Sequence, residues 1–510
     1  MPSPSFPLRV ACVDVGSNGL RCMAAEFQDE TRHRILVQER APVRLGQSVF
    51  EVGAIDTEAM EAAVEALAGF KRSLDACDVQ VVRAVATSAV REAANQDQFL
   101  RKVRRGAGLK VEVISGAEEA RLVAAAVARR LPMAGPPWML MDLGGGSVEI
   151  GLVDAGGLLW SESHPMGSVR LLGEFHALKQ DAERFQRLLA GTVHTLRLNL
   201  PRGRKPAGFA ATGGNIEELA RLAGCKEGEV AELPLKKLRE QVQRLAKMSL
   251  EERKKELGLR PDRADVIVPA GLTYAHVADL CGAETIHVPH VSLKDGVLFD
   301  LVDSLAVHTD AQAKSEHVVL DASVALGRHY HFEEAHGVQV GRLAVSLFDQ
   351  TRDLHKLRAA DRTLLQAAAV LHDVGRFISD NKHHKHSYYL ISQADLAGLS
   401  GDDLEVVAQV ARYHRRKEPA PHHKPFARLA AADQQRVVRL AALLRVADAL
   451  DRQHLGAVHA VKVRVETDAV VLRLKGQGDL ALEQWAVQEK GGLFCSAFDT
   501  TLEMETEAAA

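Results

Sequence analysis

Over the first 300 residues the apolar positions fall into short runs closed by glycine, interleaved with stretches of helical period. Arg9–Val15 is one such run, ending in Asp14-Val15-Gly16-Ser17-Asn18, and Leu20–Phe27 is the next; together they predict strand, tight turn, strand. Residues 57–74 carry apolar side chains at helical spacing behind Asp56-Thr57, which supplies an N-cap region. The β-branched run Val79–Ala86 predicts a strand, Ala89–Arg104 a helix and Val111–Ile114 a further strand. Ser115-Gly116-Ala117-Glu118 reads as the capped start of a helix running to about Arg130.

After a Pro/Gly-rich linker, Pro132–Pro137, the opening pattern returns. Trp138–Leu143 predicts a strand ending at Asp142, Gly144–Ser147 a turn, and Val148–Val153 the return strand. The two Asp-initiated turns stand 128 residues apart, about one domain length, so the pattern implies a duplicated unit with two halves facing each other. A third glycine turn, Ala211-Thr212-Gly213-Gly214-Asn215, follows the strand Gly208–Ala210. The second half is expected to close with strand Asp265–Val268, helix Gly271–Leu280, strand Thr285–Val288 and the turn Leu293–Gly296. From about Ser315 to His454 every periodic segment is helical. Beyond Ala457, Val461–Val465 and Val470–Leu474 alternate apolar and polar around Thr467-Asp468, a hairpin in a small terminal α+β unit. The expected domains are 8–131, 138–305, 315–455 and 456–510.

A chain of 510 residues exceeds one hydrophobic core, which agrees with such a division. Aromatics make up only 5%, so the cores must be built from Ala, Leu and Val. With 64 basic and 67 acidic residues the net charge is −3, and any anionic substrate must be held by local groups rather than by a global field. Six scattered cysteines without CxxC spacing argue against a zinc ribbon or disulfide framework and for a reducing compartment. Met1–Pro7 has no apolar core and no run suits a membrane span, so a cytoplasmic protein is expected. Histidine is unevenly spread: fifteen of 22 lie between His308 and His459, which points to metal or phosphate chemistry there.

The glycine turns carry the first chemistry. Gly16, Gly144, Gly145, Gly146, Gly213 and Gly214 let backbone N–H groups approach a phosphate, and Ser17, Ser147 and Thr212 add hydroxyl donors. Asn18 belongs to the first loop. Asp14 and Asp142 would repel a phosphate unless they hold a divalent cation or orient water. No Lys-Ser/Thr follows Gly144-Gly145-Gly146, which excludes a Walker A loop.

Four ordered motifs, Asp14-Val-Gly-Ser-Asn18, Ala86-Thr-Ser-Ala-Val-Arg-Glu-Ala-Ala-Asn95, Ile114-Ser-Gly-Ala-Glu-Glu-Ala-Arg121 and Asp142-Leu-Gly-Gly-Gly-Ser-Val-Glu149, resemble the exopolyphosphatase/guanosine pentaphosphate phosphatase family over about residues 8–305. Gly19-Leu20 departs from it, where the family commonly has Ser before an apolar residue. The resemblance implies an α/β fold of duplicated actin/hexokinase/Hsp70-like (ribonuclease H-like) domains. It also implies Glu119 as the base that activates water, with Glu118 the competing candidate, Asp142 and Glu149 on Mg²⁺, and Arg91 on phosphate as a forked donor.

In the helical segment, His336, His372-Asp373 and Asp448 make a mixed N/O set suited to a divalent metal. Their order resembles the HD phosphohydrolase superfamily, with these four as ligands and His386-Ser387 and Tyr413-His414 as supporting positions. The basic clusters Lys382–His386, His414–Lys417 and His422–Lys424 could track a polyphosphate chain; without interleaved aromatics beyond Tyr388-Tyr389 they argue against nucleic acid. The expected activity is therefore Mg²⁺-dependent removal of terminal orthophosphate from inorganic polyphosphate, with hydrolysis of guanosine pentaphosphate as the close alternative. A nucleotide-sensing regulator with a metal-binding HD domain is more distant, as is a sugar or acetate kinase of the same fold. Resemblance to long family members also implies a homodimer.

Overall fold

The computed structural model describes residues 6–133, 135–155, 157–177, 184, 187–188, 191, 206–226, 228–306 and 311–506. The chain forms two compact units, Met1–His308 and Thr309–Ala510. The first contains two sheets built on one plan. In one, β3(His33–Ala41), β2(Gly19–Phe27), β1(Leu8–Gly16), β4(Val81–Ala86) and β5(Val111–Val113) lie in the order 3-2-1-4-5. The other runs β10(Ala231–Pro234), β11(Thr285–Val288), β9(Phe209–Thr212), β6(Trp138–Leu143), β7(Val148–Asp154), β8(Gly157–His164). In each sheet the leading strand pairs antiparallel with the next in sequence and parallel with the strand on its other side. The duplication expected from the two Asp turns is thus present, with Asp14 on β1 and Asp142 on β6 at equivalent ends.

The expected strand Asp265–Val268 is helical: Pro261–Ala264 is a short helix and Ile267–Leu280 a long one. From Ile267 to Ala275 that helix is buried on every side, so no polar face reveals its 3.6-residue period, and a short apolar run alone does not separate strand from buried helix. Leu293–Gly296 is the first turn of the helix Leu293–Ala306 rather than a turn between elements. Ser292 caps it, its N–H donating to Asp295 Oδ2 at 2.8 Å. Gly296 is needed there for packing, because an added Cβ would lie 2.1 Å from Leu122 O. The helix expected over Ala89–Arg104 is two, Ser88–Glu92 and Gln96–Gly106. The break is held by Asn95, whose amide donates to Ile55 O (2.8 Å) and accepts from Ile55 N (3.0 Å).

The second unit is helical from Ala311 to Ala449, apart from a 3₁₀ turn at Val374–Phe377. The expected hairpin is present as β12(Val458–Val465) and β13(Ala469–Gly476), and β14(Thr501–Thr506) joins it in parallel. Val458, Val470, Leu472 and Leu474 share one hydrophobic core with Val340, Leu365 and Leu444 of the helices. Among the described residues no helix is long and apolar enough to cross a membrane.

Candidate active site

Sheet register assembles the first site. Asp142 on β6 lies directly opposite Glu149 on β7 and beside Thr212 on β9, and Glu149 lies opposite Ser163 on β8. Four adjacent strands therefore present Ser163, Glu149, Asp142 and Thr212 in one row, where opposite side chains touch. Thr212 Oγ1 donates to Asp142 Oδ1 at 2.6 Å and Ser163 Oγ to Glu149 Oε1 at 2.8 Å. Glu119 completes the group from the first turn of the helix Gly116–Ala128, capped by Ser115. One oxygen each of Glu119, Asp142 and Glu149 lies within 4.8 Å of the others, and all three residues are buried. Glu119 Oε2 and Glu149 Oε2 have no hydrogen-bond partner.

The two adjacent glutamates of the motif part company. Glu118 is tied to Arg121 (2.8 Å) and Arg83 (3.2 Å), both of which also reach Asp300. Glu119 turns instead to the carboxylate group, with Arg91 Nη1 3.9 Å from its Oε2 and donating to Ile114 O at 2.7 Å.

The two glycine loops face each other. A Cβ on Gly145 would lie 2.9 Å from Ser17 Cβ and 3.1 Å from Asn18 N. Ser17 Oγ lies 2.9 Å from Ser88 Oγ and accepts from Ala89 N, which fixes the first loop to the Thr87-Ser88 turn. Between the loops is a cleft of about 420 Å³ lined by Asp14, Gly16, Ser17, Asn18, Glu119, Asp142, Gly144, Gly145, Gly213 and Gly214. Gly146 and Ser147 complete the second loop; Gly146 must lack a side chain because a Cβ there would meet Phe50 and Ser88 at 2.2 and 2.5 Å. Asp14 is paired with Arg21 at 3.0 Å and stands outside the carboxylate trio. Asn18 bridges Arg44 and the Asp262 carbonyl. Sequence reading missed the cations of the cleft wall, Arg21, Arg40, Arg260, Arg263 and Lys294. Arg21 sits opposite Asp14 in register, a signal available once the hairpin is accepted; the others arrive through tertiary packing.

Residues 26–305 match the Ppx/GppA phosphatase family, and residues 320–488 match its domain III. The chain belongs to the Ppx/GppA phosphatase family. It is 27% identical over 449 residues, 86% of this chain and 87% of the relative, to a guanosine-5'-triphosphate,3'-diphosphate pyrophosphatase from Vibrio parahaemolyticus. A protein of the same name from Aliivibrio fischeri is 25% identical over 93% of each chain. Among solved structures, an exopolyphosphatase from Cytophaga hutchinsonii matches with a TM-score of 0.51 and 28% identity, over 58% of this chain and 98% of that one. The Ppx/GppA family member from Aquifex aeolicus matches with a TM-score of 0.50 and 26% identity over the same shares.

The electrostatics of this Ppx/GppA cleft follow from burial. Desolvation, then Glu149 and Asp142, push the Glu119 carboxyl well above the usual range, with Arg91 pulling the other way. Glu149 is pushed up to about 7 by burial and by Asp142, against the hydroxyls of Ser147 and Ser163. Asp142 is raised by burial despite the Thr212 hydrogen bond and Arg21. Three buried carboxylates, two of them with an unpaired oxygen, form an all-oxygen donor set suited to a hard divalent cation.

In domain III the four expected residues also converge. His336 Nε2 and His372 Nε2 lie 3.8 and 3.7 Å from Asp448 Oδ1, and His372 Nε2 lies 3.8 Å from Asp373 Oδ1. Two further histidines join them: His383 Nε2 and His414 Nε2 lie 3.1 and 3.5 Å from the same Asp373 oxygen. His386 of the expected supporting pair is partly exposed, and the residue one helical turn earlier, His383, is the buried one. Ser387 does support the site, donating to His372 O at 2.6 Å and accepting from Gly375 N at 2.9 Å. The cluster Lys382–His386 is therefore split: Lys382 and Lys385 face solvent, while His383 and His384 turn inward. Burial would raise Asp373, but His372, His383, His414 and Arg376 hold its carboxyl far below the usual range. Burial, then His372, holds the His414 imidazole well below its ordinary value.

Proposed function

We propose that the cleft of the first unit hydrolyses the terminal phosphoanhydride bond of a phosphate chain, releasing orthophosphate, with inorganic polyphosphate as substrate. The observation that carries this reading is Glu119: a buried carboxylate with an unpaired oxygen, beside Asp142 and Glu149, at a cleft walled by glycine loops and arginines. Burial first, then Glu149 and Asp142, raise its proton affinity, which strengthens a carboxylate as a general base. Glu119 takes a proton from water, the water oxygen bonds to the terminal phosphorus, and the bridging P–O bond breaks with its electron pair on the shortened chain. Arg21, Arg263 and Lys294 offset the charge of the transferred group, while the loops at Gly16-Ser17 and Gly144–Ser147 hold neighbouring phosphates. Asp142 and Glu149 would hold Mg²⁺, which when bound neutralises phosphate charge.

A second reading shares this chemistry. The relatives that match over 86–93% of the chain are named for guanosine-5'-triphosphate,3'-diphosphate, so guanosine pentaphosphate is the competing substrate. Phosphate release from long-chain polyphosphate and from guanosine pentaphosphate, measured side by side, separates the two; no release from either sinks the cleft assignment. Glu119→Gln should cut kcat by about 10²–10⁴-fold with KM little changed. A near-wild-type rate would remove Glu119 as the base. The homodimer belongs to the same reading and is tested by light scattering on the eluting protein.

A further inference from the structure

Glu119 has little at its own end to hold it. Its Oε2 has no hydrogen-bond partner, and Arg91 stands 3.9 Å away, engaged with Ile114 O. Its aim is therefore set by the rotation of the helix that carries it, Gly116–Ala128. Successive residues of a helix point about 100° apart, so this rotation decides which of Glu118 and Glu119 enters the cleft. The demand is strict. A turn of about 10° carries a carboxylate ~6 Å from the helix axis through about 1 Å. Misplacement by that much can cost about 100-fold in rate.

A closed ring of charges fixes the rotation from outside the cleft. Arg121 donates to both oxygens of Glu118 at 2.8 Å, and Arg83 on β4 donates to Glu118 Oε1 at 3.2 Å. The same two arginines converge on Asp300, Arg83 on its Oδ2 and Arg121 on its Oδ1, each at 3.1 Å. The side chains of Glu118 and Asp300 are largely buried, and none of the four residues lines the cleft. The pair Glu118–Arg121 lies within one helix and turns with it, so by itself it does not resist rotation. Arg83, from the sheet, and Asp300, from the helix Leu293–Ala306, anchor it to other elements. Glu112 on β5 holds the far side of Arg83 at 3.2 Å. One turn before Asp300, Gly296 packs so closely that a Cβ there would meet Leu122 O, on the residue after Arg121. Arg121 and Leu122 are thus gripped by Asp300 and Gly296, one turn apart on the crossing helix. With Asp300 neutralised, the two guanidiniums share Glu118, and the tie from Glu118 to the crossing helix is lost.

We propose that Asp300 and Arg83 are positioning residues for the base. Resting on the reading of Glu119 as the group that activates water, they hold Gly116–Ala128 at the rotation that aims Glu119 into the cleft and keeps Glu118 out. They act through Glu119 and take no part in holding the phosphate chain or the cation.

A double-mutant cycle on full-length protein tests this, with phosphate release measured on long-chain polyphosphate and on guanosine pentaphosphate. Asp300→Asn, which keeps the shape and removes the charge, should lower kcat by about 10–100-fold with KM unchanged. In Glu119→Gln protein the same substitution should lower kcat no further, because the group it aims is already gone. A merely structural role would cut the rate by the same factor in both backgrounds. Arg83→Gln should reproduce this pattern. Asp303→Asn is the control: Asp303 pairs with Arg129 between the same two helices, about three turns from Glu118. It should leave kcat unchanged. A full rate in Asp300→Asn protein overturns the positioning role and leaves Glu119 as the base. So does a loss, by unfolding or otherwise, that multiplies with that of Glu119→Gln, or an equal loss in Asp303→Asn protein. A near-wild-type rate in Glu119→Gln protein, or no release from either substrate, overturns the base and its positioning together.

Discussion

Single hydroxyls set the geometry of the cleft. Ser163 and Thr212 each give one hydrogen bond to a buried carboxylate. Removing them as Ser163→Ala or Thr212→Val should weaken Mg²⁺ affinity by about 10–100-fold while leaving the fold intact. Titration of activity against Mg²⁺ checks this; unchanged half-saturation would show that the carboxylates are positioned by strand register alone. Gly167 works by absence. A Cβ there would stand 2.3 Å from the backbone of Gly145 and Gly146, atoms that cannot swing aside. Gly167→Ala should therefore cost about 1–3 kcal/mol in urea unfolding and also lower kcat, because the strain falls on the phosphate loop itself. Loss of stability without loss of activity would separate the loop from catalysis.

At the scale of the elements, β6, β7 and the helix Gly116–Ala128 crowd three carboxylates into one dry pocket, and the consequence depends on pH. The folded-state pKa of Glu149 is pushed up to about 7, by burial first and Asp142 second, and that of Glu119 is pushed well above its ordinary range, by burial first and by Glu149 and Asp142 second. The cation-free folded protein therefore binds protons more strongly than the unfolded chain. The stability these groups contribute is fully present below about pH 4.5 and is lost as pH rises through about 7. A divalent cation held there, as proposed, would take the place of those protons. Mg²⁺ should accordingly raise Tm more at pH 8 than at pH 5, as thermal melts at the two pH values would show. An equal rise at both would mean that the cation binds elsewhere.

For the whole molecule, the two units have separate hydrophobic cores. Calorimetry should show two transitions, as expected when independent cores unfold. Mg²⁺ should shift only one of them, a shift that Glu149→Gln abolishes and Asp373→Asn leaves in place. A single transition moved equally by both variants would contradict independent sites.

Much of this was written into local sequence. A strand, an Asp and a glycine turn, repeated at domain spacing, determined both loops, because turn chemistry is local and Gly145 and Gly146 leave no room for a side chain. Ser115 capping a helix placed Glu119 near its start, and His372-Asp373 declared a ligand pair. What sequence did not decide was direction. Whether Glu118 or Glu119 enters the cleft depends on Arg83 and Asp300, far away in the chain. His383 rather than His386 faces Asp373 because Ser387 pins the helix to His372 and Gly375. The helix expected over Gly271–Leu280 is present, but its start at Ile267-Val268 passed for the end of a strand, because a stretch with no wet face has no periodic signature. The carboxylate row and the shared Asp373 exist only when strands and helices distant in sequence are in register. Their chemistry depends on that packing, since burial and close approach turn ordinary acids and imidazoles into clusters that could hold a cation.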